Sequence, residues 1–229
     1  MCFSAEADLA AGIVVGVVAI DALRHVRTPA QLPLAAVPAV FSVHHLTEVL
    51  VWWSLQGHLS PTVGERAAWF YLLVAFGVLP VLVPLAIRAV EPSPRRRALL
   101  GVLAVAGSAV ALALMAATTD ADVGTRIDGH HIVYNAGVAH DGTVTTAYVV
   151  ATCGAMLLSS HVPIRWYGAA NLVVVSLLAW VQQTALVSLW CLWAASTSVL
   201  IAVQLRRSLA QQGRAEPRLG VSACEHPSS

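Results

Sequence analysis

Two imidazoles and a carboxyl group interrupt a long apolar run, and they constrain this chain more than any other feature. His44, His45 and Glu48 lie within residues 33–55, a segment made mostly of apolar side chains. On an α-helix, residues three or four positions apart share a face, so Glu48 can face either imidazole. Ionisable groups inside a membrane are costly, and they usually face the bundle interior and carry function. We therefore expect the functional site to include these three residues.

The composition predicts a helical membrane protein. Hydrophobic residues make up 58% of the chain and charged residues only 11%, less than half of the roughly 25% charged residues in soluble domains. The apolar residues form long runs separated by short charged patches, which is the pattern of a polytopic membrane protein. The formal net charge of +1 supplies no strong field, so we expect no nucleic-acid partner.

Seven apolar runs predict an all-α bundle of seven transmembrane helices over residues 1–207. The stretch 166–205 holds no formal charge and is too long for one helix across a hydrocarbon core of roughly 30 Å, so it must contain two spans. Pro80 and Pro84 predict a kink in the third span. Residues 208–229 predict a disordered tail. The runs are 9–23, 33–55, 67–87, 98–117, 147–160 and the two within 166–205.

The basic residues predict the orientation. The segments that follow the first, third, fifth and seventh predicted spans carry nine arginines, whereas the loops on the opposite side carry only Arg66 and Arg126. The positive-inside rule therefore predicts a cell-membrane protein with its N-terminus outside and its C-terminus, including the tail, in the cytoplasm. The long loop 118–145 is then extracytoplasmic, and alternating residues from Thr125 to Tyr134 predict a small hairpin in it. The nine arginines are Arg24, Arg27, Arg88, Arg95, Arg96, Arg97, Arg165, Arg206 and Arg207.

This orientation predicts the depth of Glu48. It follows Pro33 by fifteen residues, which at 1.5 Å per residue places it roughly 22 Å from the cytoplasmic end, in the outer half of the membrane. We interpret this region as a cavity open to the outer leaflet, with Glu48 at its floor. The alternative is that the tryptophans form an interfacial belt, the glutamines a turn, and the acids dipole partners for the first helix. The residues that converge there are Glu6, Asp8, Trp180, Gln182, Gln183, Trp190 and Trp193.

Three chemistries fit this cluster, beside a purely structural hydrogen-bond network. A metal site can use His44 or His45 with Glu48, although the order of Glu and His is reversed from the di-iron pattern and HExxH is absent. A proton relay can run from Glu48 through His45 to Asp8. Acid catalysis is the third, because a carboxyl group in a poorly solvated pocket stays protonated at neutral pH and can protonate an alkene or epoxide. Tryptophan faces then stabilise the carbocation.

The chain resembles an uncharacterised actinobacterial membrane family. The resemblance is carried by residues 1–5 (Met-Cys-Phe-Ser-Ala), by Glu48 and Trp52 on the second span, and by an Ile-x-x-x-His-Ile-x-Tyr element that ends at Tyr134. In size, span number and lone intramembrane acid it also resembles the small membrane terpene cyclases of bacterial indole-terpenoid pathways, the drimentine and xiamycin kind. That resemblance implies a metal-independent, class II cyclisation of a prenylated substrate, with no cofactor.

The functional expectation is therefore a membrane terpene cyclase. In this hypothesis Glu48 is the general acid, His45 or His44 positions it, and Asp8 or Glu6 is a second acid or a base. The expected substrate is a prenylated hydrophobic small molecule. The alternative is a non-enzymatic carrier or metal-binding protein that uses His44, His45 and Glu48. The residues expected to line the substrate pocket are Trp52, Trp180, Gln183 and Trp190.

Overall fold

The computed structural model describes residues 4–120, 124–135, 142–181, 193, 198–199 and 201–203, and it is mainly helical. Most of the predicted seventh span and the whole predicted tail lie outside this part of the chain. The helices are α1 (Ala5–Arg24), α2 (Leu32–Leu55), α3 (Pro61–Leu72), α4 (Leu79–Val90), α5 (Pro94–Asp120), α6 (Gly142–Leu158) and α7 (Val162–Val181), and the strands are β1 (Gly124–Asp128) and β2 (His131–Asn135).

The prediction of apolar helices long enough for a membrane is confirmed for three helical stretches. Pro29–Leu55, Pro61–Val90 and Pro94–Thr119 have the length and composition to cross a bilayer. Gly142–Leu158 and Val162–Leu178 are apolar but shorter. The protein is thus a helical molecule with several apolar helices, which is compatible with a membrane protein.

The third apolar run is one continuous helical stretch with a π-helical segment in it. Residues Leu73–Val78 join α3 to α4, and the helix continues through both prolines. Proline lacks the N–H that would bond to the carbonyl four residues earlier, so Pro80 loosens the turn directly before it. The Ala75 carbonyl in this segment accepts a hydrogen bond from the Tyr148 hydroxyl at 2.8 Å, so a neighbouring helix compensates the distorted ladder.

Close packing of α1 on α2 brings Asp8 to the part of α2 that carries His45 and Trp52. The buried residues of α1 recur every three or four positions, so they form one face, and they are Ala5, Asp8, Gly12, Val15, Ala19 and Ala22. A β-carbon on Gly12 would come within 2.8 Å of the Leu46 side chain, and the Ser42 hydroxyl donates to the Gly12 carbonyl at 2.8 Å. The glycine therefore permits the close approach that carries Asp8 toward α2.

The predicted hairpin is confirmed, with its turn at Gly129-His130. Strands β1 and β2 pair antiparallel, and Ile127 faces Ile132. Gly129 has φ +59°, a left-handed conformation that glycine adopts at little cost. Ile132 is buried with Ala5 of α1, Val49 and Trp52 of α2, and Ala67 of α3, so the hairpin covers that end of these helices.

Candidate metal centre

Three buried side chains with metal-ligating atoms converge between α1 and α2. Asp8 comes from the first turns of α1, and His45 and Glu48 come from adjacent turns of α2. One potential ligand atom from each lies within 4.8 Å of the other two. All three side chains are almost wholly inaccessible to solvent, with at most 1% exposed. The spacing of three residues between His45 and Glu48 puts both on the face that α1 covers.

Asp8 is held from two sides. One carboxylate oxygen, Oδ1, lies 3.2 Å from Nδ1 of His45, and the other, Oδ2, accepts a hydrogen bond of 3.0 Å from the indole N–H of Trp52. When Nδ1 of His45 carries the proton and donates it to Asp8, the lone pair is on Nε2. Nε2 is buried and has no hydrogen-bond partner among the described residues. A cation that binds Asp8 and His45 together would replace the proton between Oδ1 and Nδ1, so Nδ1 is then the ligand atom.

Glu48 is linked to the hairpin by a hydrogen bond from Tyr134, whose ring belongs to an aromatic stack. The Tyr134 hydroxyl donates to Glu48 Oε1 at 3.3 Å. The Tyr134 ring stacks on Tyr71, with centroids 4.7 Å apart, and Tyr71 stacks on His44 at 3.9 Å. His44 is as deeply buried as His45, but its ring packs in this stack and it is not a member of the ligand group.

Two of the other predicted site residues, Glu6 and Trp180, are exposed and do not join the cluster. Glu6 is exposed, because two residues along a helix is a rotation of about 200° and only one of Glu6 and Asp8 can face α2. Trp180 is 84% exposed, whereas Trp52 is 3% exposed and contacts the cluster. Gln182, Gln183 and Trp190 lie outside the described residues. Of the side chains expected to line a pocket, the structure therefore brings Trp52 to the site.

Sequence reasoning missed the role of one residue, Tyr71. It is fully buried, and its ring lies between His44 and Tyr134. Nothing in the sequence distinguishes it, because a tyrosine near the end of an apolar run is expected at a membrane interface. Tyr134 ends the Ile-x-x-x-His-Ile-x-Tyr element, so the sequence did single it out. Its contact with Glu48 was not predictable, because the two residues lie 86 positions apart.

The cluster is short of positive charge. With both carboxyl groups ionised, Asp8, Glu48 and a neutral His45 carry a charge of −2, and a protonated His45 reduces this only to −1. Burying such a charge is expensive, and a proton or a bound cation can balance it. One imidazole nitrogen and carboxylate oxygens form a donor set that suits a divalent transition metal such as zinc, iron or manganese.

Comparison with known proteins gives a family but no function. Residues 1–216 match the family of unknown function DUF6629, and the chain belongs to that family. Neither the curated proteins nor the solved structures gave a match.

Proposed function

We propose that this member of DUF6629 is a seven-span integral membrane protein that binds a divalent transition-metal cation through Asp8, His45 and Glu48. The observation that carries this proposal is the convergence of three potential ligands, all buried, on one point between α1 and α2. With the N-terminus outside, as the arginine distribution predicts, this point lies in the outer half of the membrane. The protein thus has the character of a metal binder or carrier.

The charge of the cluster supports a cation with two positive charges. A dication bound to two carboxylates and a neutral imidazole makes the group electrically neutral, which removes most of the cost of burying it. Metal ligands must be deprotonated, and metal binding favours the deprotonated forms of Asp8 and Glu48. Three protein ligands leave a position open for water or an exchangeable ligand, as in catalytic zinc sites.

The spacing of the ligand atoms fits a site that contracts on binding. Atoms separated by up to 4.8 Å are farther apart than the roughly 3.3 Å between neighbouring donors around a tetrahedral zinc ion with bonds near 2.0 Å. Side-chain shifts of about 1 Å suffice to close this difference. The hydrogen bond from Trp52 to Asp8 and that from Tyr134 to Glu48 are the kind of outer contacts that orient ligating groups.

Metal analysis of the purified protein tests this proposal. Wild-type protein in detergent, equilibrated with zinc or manganese and freed of excess ion, is expected to retain about one ion per chain, and Glu48→Gln to retain less than a tenth of that. Glu65, an exposed acid on α3, supplies the control, since Glu65→Gln should bind like wild type. A wild-type protein that retains no metal would overturn the proposal.

A second candidate function is acid-initiated terpene cyclisation. It is favoured by the burial of the Glu48 carboxyl group beside the phenol of Tyr134. In this role Glu48 protonates an alkene or epoxide of a prenylated substrate, and Trp52 and the tyrosines stabilise the cation. Membranes that contain the protein, supplied with a farnesylated or geranylated substrate and a chelator, distinguish the two candidates. The cyclase hypothesis predicts turnover that Glu48→Gln abolishes, and full turnover by that variant would end it.

A further inference from the structure

The hairpin depends on its contacts with the helices. A two-stranded hairpin of five-residue strands is marginal by itself in water. Side chains on a strand alternate between faces, and in β2 the buried Ile132 and the partly buried Tyr134 point the same way. Ile132 packs against α1, α2 and α3, and Tyr134 stacks on Tyr71 of α3. These two residues therefore hold the hairpin to the helix ends.

Tyr134 also joins the hairpin to the ligand cluster, because its hydroxyl donates to Glu48 Oε1 at 3.3 Å. A hydrogen bond to a carboxylate is about twice as strong as one to a neutral group. A cation bound by Glu48 would fix the position of the carboxylate that accepts this hydrogen bond, and the docked phenol would fix the same carboxylate for the cation.

We propose that Tyr134 is the positioning residue that couples the hairpin to the cation site, so that a bound cation and the docked hairpin stabilise each other. This inference rests on the proposed function, since it requires that Glu48 bind a cation. Coupling between two binding events is reciprocal. If the Tyr134 hydroxyl raises zinc affinity tenfold in the docked state, zinc must make undocking of the hairpin tenfold rarer.

Hydrogen exchange with and without zinc tests the coupling. In wild-type protein in lipid nanodiscs, saturating Zn²⁺ should slow exchange of the amides of residues 124–135 by about tenfold. Tyr134→Phe keeps the ring that stacks on Tyr71 but removes the hydroxyl, so it should lose this zinc-dependent slowing and bind zinc about tenfold more weakly. Tyr148→Phe is the matched control, because it removes a phenol that donates to the Ala75 carbonyl instead. It should retain both properties.

The outcomes separate this inference from the proposed function. If wild-type protein binds zinc and exchange in the hairpin does not change, the coupling is wrong and the metal site stands. If Tyr134→Phe behaves like wild type in both measurements, the hydroxyl has no positioning role. Failure of wild-type protein to bind zinc, seen in the metal content alone, overturns both proposals. A purely structural Tyr134 would change the basal exchange rate but not its dependence on zinc.

Discussion

Asp8 illustrates how far a single residue can be interpreted from sequence. Its helical position, two residues after Glu6, made both acids candidates, and only packing against α2 selects one of them. The structure buries Asp8 and exposes Glu6, because the face of α1 that carries Gly12 is the one that approaches α2. His45 and Glu48 were easier to predict, since ionisable groups in an apolar helix must face the interior.

The indole of Trp52 gives a prediction at this scale. Trp52→Phe keeps an aromatic ring but removes the N–H that donates to Asp8 Oδ2, so Asp8 loses part of its orientation. We expect zinc affinity to fall about tenfold, measured by competition with a chromophoric chelator. Trp53 lies next to it but is 36% exposed, and Trp53→Phe should leave affinity unchanged. Equal affinities for the two variants would show that the indole does not orient Asp8.

Among the elements, α4 and α5 show a contact that sequence alone does not predict. Pro84 has no N–H to donate to the Pro80 carbonyl four residues earlier. The chain of α5 approaches that carbonyl at Gly107, where a β-carbon would clash with the oxygen. The prolines were visible in the sequence, but the helix facing them was not, since nothing local specifies which apolar run packs there.

Gly107→Ala tests this approach. The added methyl group must push the backbone of α4 and α5 apart, because the atom it meets is a main-chain oxygen rather than a flexible side chain. We expect a loss of about 1–3 kcal/mol in stability, observed as a lower midpoint of thermal unfolding in detergent. Gly154→Ala is the control, since a β-carbon there meets only side-chain methyl groups, that of Leu103 at 3.7 Å and that of Val150 at 3.9 Å. Equal midpoints for the two variants would contradict this packing.

At the scale of the whole molecule, the sequence does not predict the side-chain contacts between loops. The arginine distribution predicts that the arginine-rich loops lie on one side of the membrane, and the structure brings two of them into contact. Arg96 donates to the Ser159 carbonyl at 3.2 Å, and the guanidinium of Arg97 donates to the Glu91 carbonyl. The Glu91 side chain accepts from the backbone N–H groups of Ser93 and Ser160 and from the Ser160 hydroxyl. The bonds between Glu91 and Ser160 link two loops across 69 residues of sequence.

The pH dependence of stability should reflect Glu91. Burial acts to raise the pKa of Glu91, but hydrogen bonds from Ser160 and Ser93 and the charge of Arg96 outweigh it and lower the pKa below its ordinary value. A carboxyl group with a lower pKa in the folded state stabilises the protein above its unfolded pKa, and this stabilisation is lost as the pH falls through the folded pKa.

We therefore expect acidification below about pH 4 to lower the unfolding midpoint of wild-type protein. Glu91→Gln should lower the midpoint by about 5 °C at neutral pH and weaken its dependence on acid, as measured by thermal unfolding across this range. Glu65→Gln, at an exposed site, should retain the wild-type dependence. An unaltered acid response in Glu91→Gln would show that the loops are held by other contacts.

X-ray absorption at the zinc edge of the loaded protein tests most directly whether Asp8, His45 and Glu48 together bind one cation. The proposed site predicts nitrogen and oxygen donors at about 2.0–2.2 Å from the zinc, with the outer scattering of a single imidazole that disappears in His45→Ala and persists in His44→Ala. A shell that contains sulfur, or imidazole scattering that is lost in His44→Ala and retained in His45→Ala, would contradict it.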